Sequence, residues 1–155
     1  MPIESWTIVE ARSQEDLASV RALIERNNHI RDSDPRFQGF LEEMRTFPAA
    51  YELVLMAKSS DGSAIGCVCL KRLEAQVCEM KRMFVIPDAR RRGAGRALSV
   101  RLIEEAKRRG FTEIKLDTLE RLKPALALFR NLGFVEAAPY APNPEPDVVY
   151  MSKLL

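Results

Sequence analysis

The sequence predicts an α/β fold: a mixed, mostly antiparallel central sheet of about seven strands, four helices, and a parallel strand–helix–strand core. Three observations predict it. Residues 79–118 run strand, helix, strand, and such a crossover makes its two strands parallel. The short apolar runs on either side are punctuated by turn residues, which favours antiparallel neighbours. Further segments keep apolar residues at helical spacing.

In chain order, Trp6 to Glu10 reads as a first short strand. Ser13, with Asp16 three residues on, opens a helix expected to run to about Ile30, its inward positions being Leu17, Val20, Leu23 and Ile24. Asp32 to Pro35 breaks it, and Phe37 to Met44 reads as a second helix with Phe40, Leu41 and Met44 inward. Phe47 to Tyr51 is a loop. Leu53–Ala57 and Ala64–Lys71 pair around the turn Ser59-Ser60-Asp61-Gly62. After a second turn at Leu73 to Ala75, the fourth strand spans Gln76 to Ile86 and is stopped by Pro87.

The central helix follows Gly95, with Leu98, Leu102, Ile103 and Ala106 on one face and Gly110 as its stop. Glu104–Arg108 and Glu105–Arg109 are i,i+4 pairs on its wet face. Glu113–Thr118 is the fifth strand, Leu122–Leu132 the fourth helix, with Pro124 tolerated in its first turn, and Phe134–Ala137 and Val148–Leu154 the last two strands. Between those strands, Pro139 to Pro146 carries four prolines and reads as a rigid loop, with a Pro-x-x-P ligand for another domain as the alternative.

The chemistry concentrates between the fourth strand and the central helix. Gly93 and Gly95 bare the amides of a helix N-terminus, and Arg90, Arg91, Arg92 and Arg96 surround them. Free N–H groups, the positive end of the helix dipole and guanidinium groups together suit a phosphate-bearing ligand. A P-loop is excluded, because no Gly-Lys-Ser/Thr follows. A dinucleotide fingerprint matches at Gly93 and Gly95, with Asp117 at a suitable distance, but Leu98 holds the third glycine position and too little βα chain follows. The plain alternative is an exposed basic turn of solvated charge.

Arg90-x-x-Gly93-x-Gly95 after an apolar strand resembles the acyl-CoA pyrophosphate motif of the GNAT superfamily of N-acetyltransferases. The flanks agree: Met80-Lys81-Arg82-Met83-Phe84-Val85 precedes it, and Ala125 to Phe134 is similar to the family's A-x-x-L-Y-x-x-x-G-F block, with Phe129 in the tyrosine position. The resemblance covers roughly residues 64–137 closely, and the element order extends it to one GNAT acetyltransferase domain over residues 1–155. It implies a GNAT-type sheet whose fourth and fifth strands splay apart around the pantetheine arm of acetyl-CoA. Met83, Phe84 and Val85 would then contact that arm through their backbone, and the Met83 amide would face the thioester oxygen. Arg90, Arg91, Arg92, Gly93, Ala94, Gly95, Arg96 and Ala97 would hold the pyrophosphate.

Composition fits this reading. The chain has 155 residues, 46% hydrophobic and 30% charged, and 24 basic against 22 acidic residues leave a net charge of +2. That balance argues against general nucleic-acid binding, so the arginine cluster is a local feature. The sequence shows no apolar run of membrane-span length and no signal-peptide character at Met1 to Glu4. Its three cysteines, Cys67, Cys69 and Cys78, read as reduced thiols on a sheet, because a metal site would need a fourth ligand and His29 is distant. A cytoplasmic location is expected.

Acetyl transfer to an amine needs a held cofactor, a deprotonated amine, a stabilised oxyanion and an accommodated thiolate. Glu79 is the expected base, placed by strand alternation on the face of Met83, with ion pairing or substrate-ammonium binding as alternatives. Asp117 and His29 are weaker candidates for that role. Phe129 offers no hydroxyl to the leaving thiolate, so Tyr140 or Tyr51 supplies the acid, or none is needed. Phe37, Phe40, Phe47 and Tyr51 are candidates to line the acceptor site, with core packing as the alternative. The expected activity is transfer from acetyl-CoA to a primary amine of a small molecule or peptide, in a chain for which a homodimer fits the resemblance. A non-catalytic acyl-CoA-binding module is the alternative.

Overall fold

The computed structural model describes residues 5–28, 30 and 32–155, so His29 lies outside the described residues. The elements are β1 (Trp6–Glu10), α1 (Gln14–Arg26), α2 (Phe37–Thr46), β2 (Leu53–Ser59), β3 (Ala64–Glu74) and β4 (Val77–Val85). A short 3-10 turn at Pro87–Ala89 leads to α3 (Ala94–Arg108), then β5 (Glu113–Leu119), α4 (Lys123–Asn131), β6 (Val135–Glu136) and β7 (Val148–Leu154). The strands lie in the order β1-β2-β3-β4-β5-β7-β6. β4 and β5 are parallel, and the neighbours on either side are antiparallel, as the crossover through α3 requires.

Helices cover both faces of the sheet. Val20, Leu23 and Ile24 of α1 and Phe40 and Met44 of α2 pack on Val54, Met56, Cys67 and Cys69. Leu98, Leu102, Ile103 and Ala106 of α3 and Leu126 and Phe129 of α4 pack on the other face, with Val68, Leu70, Cys78 and Met80. Gly66 permits the close seat of α3, since a Cβ there would stand 3.1 Å from Leu98 Cδ1 and 3.2 Å from the Phe84 carbonyl. Helix α1 ends at Arg26 rather than near Ile30. Asn27 donates from its side chain to the Leu23 carbonyl, and Asn28 brackets the backbone of Ile30 with two bonds, so local side-chain bonding replaces the helical ladder.

One expectation about β4 is corrected. Simple alternation puts Glu79 and Met83 on one face, but the structure puts them on opposite faces. Cys69 pairs with Lys81 and Cys67 with Phe84, so Val68 alone stands opposite Arg82 and Met83. This is a β-bulge, with Arg82 in the left-handed region at φ 58°. Upstream of it, Glu79 and Lys81 face α2. Beyond it, Met83 and Val85 join the core under α3. Met83 Sδ accepts a 3.2 Å hydrogen bond from Ser99 of α3.

Candidate active site

The arginine- and glycine-rich turn delivers α3 with its N-terminal amides uncapped. Gly93 occupies the cap position at φ 83° and makes no side-chain cap hydrogen bond. A Cβ on Gly93 would meet nothing within 4 Å, so the backbone angle is what calls for glycine. Arg90, Arg91, Arg92 and Arg96 are all exposed around this end. Arg90 Nε donates to the Val85 carbonyl at 3.2 Å, and Arg96 donates to the Asn131 side chain at 2.6 Å. The turn is therefore a concave, positively charged seat of helix amides.

A cleft opens in the sheet where β4 and β5 part. β4 and β5 pair only through Val77–Glu113, Cys78–Ile114 and Glu79–Lys115, and then diverge. Lys81 to Phe84 on one side and Leu116 to Leu119 on the other line a cavity of about 280 Å³, with Phe129 and Ala125 of α4 along it. Phe129 is 5% exposed and meets Phe134 edge-to-face at 5.8 Å between ring centres.

The diverging strands also open onto a larger pocket of about 460 Å³ on the α2 side, which shares Lys81, Arg82 and Asp117 with the cleft. At its floor Glu79 is 5% exposed, and its Oε2 accepts a 2.5 Å hydrogen bond from the Tyr140 hydroxyl. Burial raises the Glu79 carboxyl above the usual carboxylate range, although the Tyr140 bond and the charges of Lys81 and Lys71 pull the other way. Burial, and then the charge of Glu79, raise the Tyr140 phenol, so it keeps its proton at neutral pH. The proline-rich loop is held over the sheet at several points: Tyr150 donates to the Ala141 carbonyl, and Asn143 donates to Asp117 at 3.2 Å.

A second buried network secures the bulge. Arg82 makes two hydrogen bonds to Glu43 of α2, at 2.9 and 3.0 Å, and its guanidinium lies 5.2 Å from the centre of the Phe40 ring. Tyr51 donates to the same Glu43 carboxylate. Burial works against the Glu43 charge, but the bonds and charge of Arg82 outweigh it and hold the carboxyl below its usual range.

The chain matches the family model described as the acetyltransferase (GNAT) family over residues 17–134. The chain belongs to the GNAT acetyltransferase family. It is accordingly an acyltransferase. An uncharacterized N-acetyltransferase of Schizosaccharomyces pombe is 32% identical over 150 residues, spanning 94% of this chain and 92% of that protein. A crystal structure of an acetyltransferase from Streptococcus agalactiae has a TM-score of 0.78 at 22% identity, covering 98% and 99% of the two chains. A GNAT family N-acetyltransferase from Escherichia coli, solved in complex with CoA, has a TM-score of 0.73 at 17% identity, covering 96% and 81%.

In this GNAT chain the residues singled out from sequence fall into two connected places. Met83, Phe84 and Phe129 line the cleft, and the Arg90-to-Ala97 turn lies beyond Val85 at the end of β4. Glu79 and Tyr140 meet in the pocket. Of the four aromatic candidates for that pocket, Phe40 lines it. Phe47 and Tyr51 pack on each other with ring centres 6.1 Å apart, and the Tyr51 hydroxyl is committed to Glu43. Asp117 accepts from Asn143 of the proline-rich loop. The Glu43–Arg82 pair was not singled out from sequence. The only signal for it is an acid on a helix face and a base in an apolar strand, 39 residues apart.

Proposed function

We propose that residues 1–155 act as one domain that transfers an acetyl group from acetyl-CoA to a primary amine of a small molecule or peptide. The observation that carries this is the parting of β4 from β5 immediately after Glu79. That parting opens the cleft onto the carboxylate pocket, with Lys81, Arg82 and Asp117 common to both, and β4 runs on through Pro87–Ala89 to the helix-end seat. That a protein of the same fold from E. coli was solved in complex with CoA supports an acyl-CoA as the ligand.

The residues present fit such a ligand. The uncapped α3 amides with Gly93 in the left-handed region would take the pyrophosphate, with Arg90, Arg91, Arg92 and Arg96 around it. The β4 segment from Met83 to Val85 would contact the arm, since the bulge removes Arg82 and Met83 from the β3 ladder. The bound thioester supplies an activated acyl group. The protein's own task is to present a neutral amine to it. Glu79, whose carboxyl burial makes more basic than an ordinary glutamate, accepts the proton of the amine, directly or through a water. Tyr140 orients that carboxylate and stabilises its charged form. Phe129 packs beside the cleft and excludes water without offering a proton.

The test is thiol release from acetyl-CoA with a panel of primary amines. Amine-dependent release that is lost in Glu79→Gln, with acetyl-CoA binding retained, supports the reading. Binding with no release for any amine would overturn it.

A further inference from the structure

The pocket at Glu79 carries more positive charge than proton removal requires. Lys71 of β3 pairs across the sheet with Glu79, and Glu79 pairs with Lys115 of β5, so the three side chains share one face in a row. Lys81 lies two residues along β4 on the same face, before the bulge. All three lysines line the 460 Å³ pocket. Among the described residues none of them has an ion-pair partner within 4 Å. Lys115 instead places its ammonium 5.5 Å from the centre of the Tyr140 ring.

The pocket's other charged groups are already engaged. Arg82 is paired with Glu43 and Arg36 with Asp34, whereas Glu79 and Asp117 bond the neutral donors Tyr140 and Asn143 and keep their charge, so three lysines face two inner carboxylates. Glu74 lines the pocket as well, but from an exposed position at its rim. Burial, and next the charge of Arg82, lower the Lys81 ammonium, and the opposing charges of Glu79 and Glu43 do not outweigh them. A protonated polyamine entering here would meet three like charges in a partly desolvated space.

We infer that the acceptor is a small amine that also carries an anionic group, a carboxylate or a phosphate, which Lys71, Lys81 and Lys115 receive while the amine faces Glu79. This rests on the reading that the pocket takes the acetyl acceptor. The same lysines would disfavour the ammonium form of the bound acceptor, so a single cluster selects the substrate and helps to deprotonate it.

The test uses matched acceptors with acetyl-CoA: β-alanine against β-alaninamide, glutamate against its diamide, phosphoethanolamine against ethanolamine, and spermidine as a polycation. The anionic member of a pair should have the higher kcat/KM by about tenfold or more, as expected for charge-assisted hydrogen bonds. The pair with the larger ratio identifies carboxylate or phosphate. Lys71→Gln and Lys115→Gln should collapse that ratio while acetyl-CoA still raises the melting temperature, which shows that the variants are folded. Equal rates within every pair, or preference for spermidine, would overturn the inference. Calorimetry of the CoA-loaded protein with the same pairs separates it from the transfer reading. Tighter binding of the anionic members without turnover leaves the pocket chemistry standing and removes acetyl transfer, whereas no preference removes the pocket chemistry.

Discussion

The Tyr140 hydroxyl donates to Oε2 of Glu79 at 2.5 Å, tying the proline-rich loop to β4 across 61 positions of sequence. The bond stabilises the charged carboxylate and so opposes the effect of burial. With the Glu79 carboxyl still held above its ordinary range, the acidic limb of kcat/KM should fall above the ordinary glutamate value of about 4.3. A weakly basic amine, neutral throughout, makes that limb visible. Glu79→Gln should slow transfer by about 10²–10⁴ and remove the limb.

Tyr140→Phe deletes the one hydrogen bond that lowers Glu79. The sign is fixed: less stabilisation of the carboxylate raises its pKa, and the limb moves to higher pH, with rates recovering above it. A hundredfold loss at every pH with the limb unmoved would instead make Tyr140 the proton donor to the thiolate.

Gly93→Val should leave a folded protein, because nothing beyond the neighbouring chain lies within 4 Å of the added Cβ. The strain at φ 83° costs about 1–2 kcal/mol. At a hundredfold excess over Kd, acetyl-CoA adds about 2.7 kcal/mol to the parent, a rise of roughly 5–10 °C in Tm. The variant should lose most of that rise. A full rise would mean that the seat at α3 is not where the pyrophosphate binds.

Glu43→Gln should be among the more destabilising single changes, since it leaves Arg82 a buried cation with a weaker partner. Breaking such a pair costs about 3 kcal/mol, the low end of the range, because the two side chains remain 15% and 13% exposed. Urea unfolding measures it. In the parent, the folded carboxyl of Glu43 lies below its unfolded value. Its contribution is therefore present above the ordinary carboxylate range and is lost as pH falls through the folded value. Glu43→Gln should flatten that acid-side loss.

Phe129→Tyr should change the rate only a few-fold. A CoA-type thiol has a reference pKa of about 8.5 and leaves without a strong acid near neutrality. Phe129→Ala should cost roughly 3–5 kcal/mol, because the ring is 5% exposed in the core. A large gain in rate for Phe129→Tyr would show that thiolate protonation limits turnover.

Local and periodic features were legible in the sequence. The strand, the Gly93 turn and the α3 stripe are each written in consecutive residues, so the helix-end seat needed no tertiary knowledge. The bulge was not legible. Nothing in Glu79-Met80-Lys81-Arg82-Met83 marks Arg82 as left-handed, because the conformation is held by Glu43 and Phe40 from a distant helix. One extra residue in the ladder sufficed to reverse the predicted face of Glu79 relative to Met83. Tyr140 could be listed as a tyrosine with a free role, but its meeting with Glu79 depends on how the loop folds back.

The three residue pairs that join β4 to β5 leave the sheet as two plates, β1 to β4 and β5-β7-β6, that share a short seam. One apolar core, with Leu98, Leu102, Leu126 and Phe129 set among Leu70, Met80, Ile114, Leu116 and Met151, spans both plates, so the seam is where the sheet's own hydrogen bonds no longer join them. A ligand seated in the seam is then a structural wedge as well as a substrate. It sets the opening between the plates, and with it the distance from the Glu79 floor to the α3 seat.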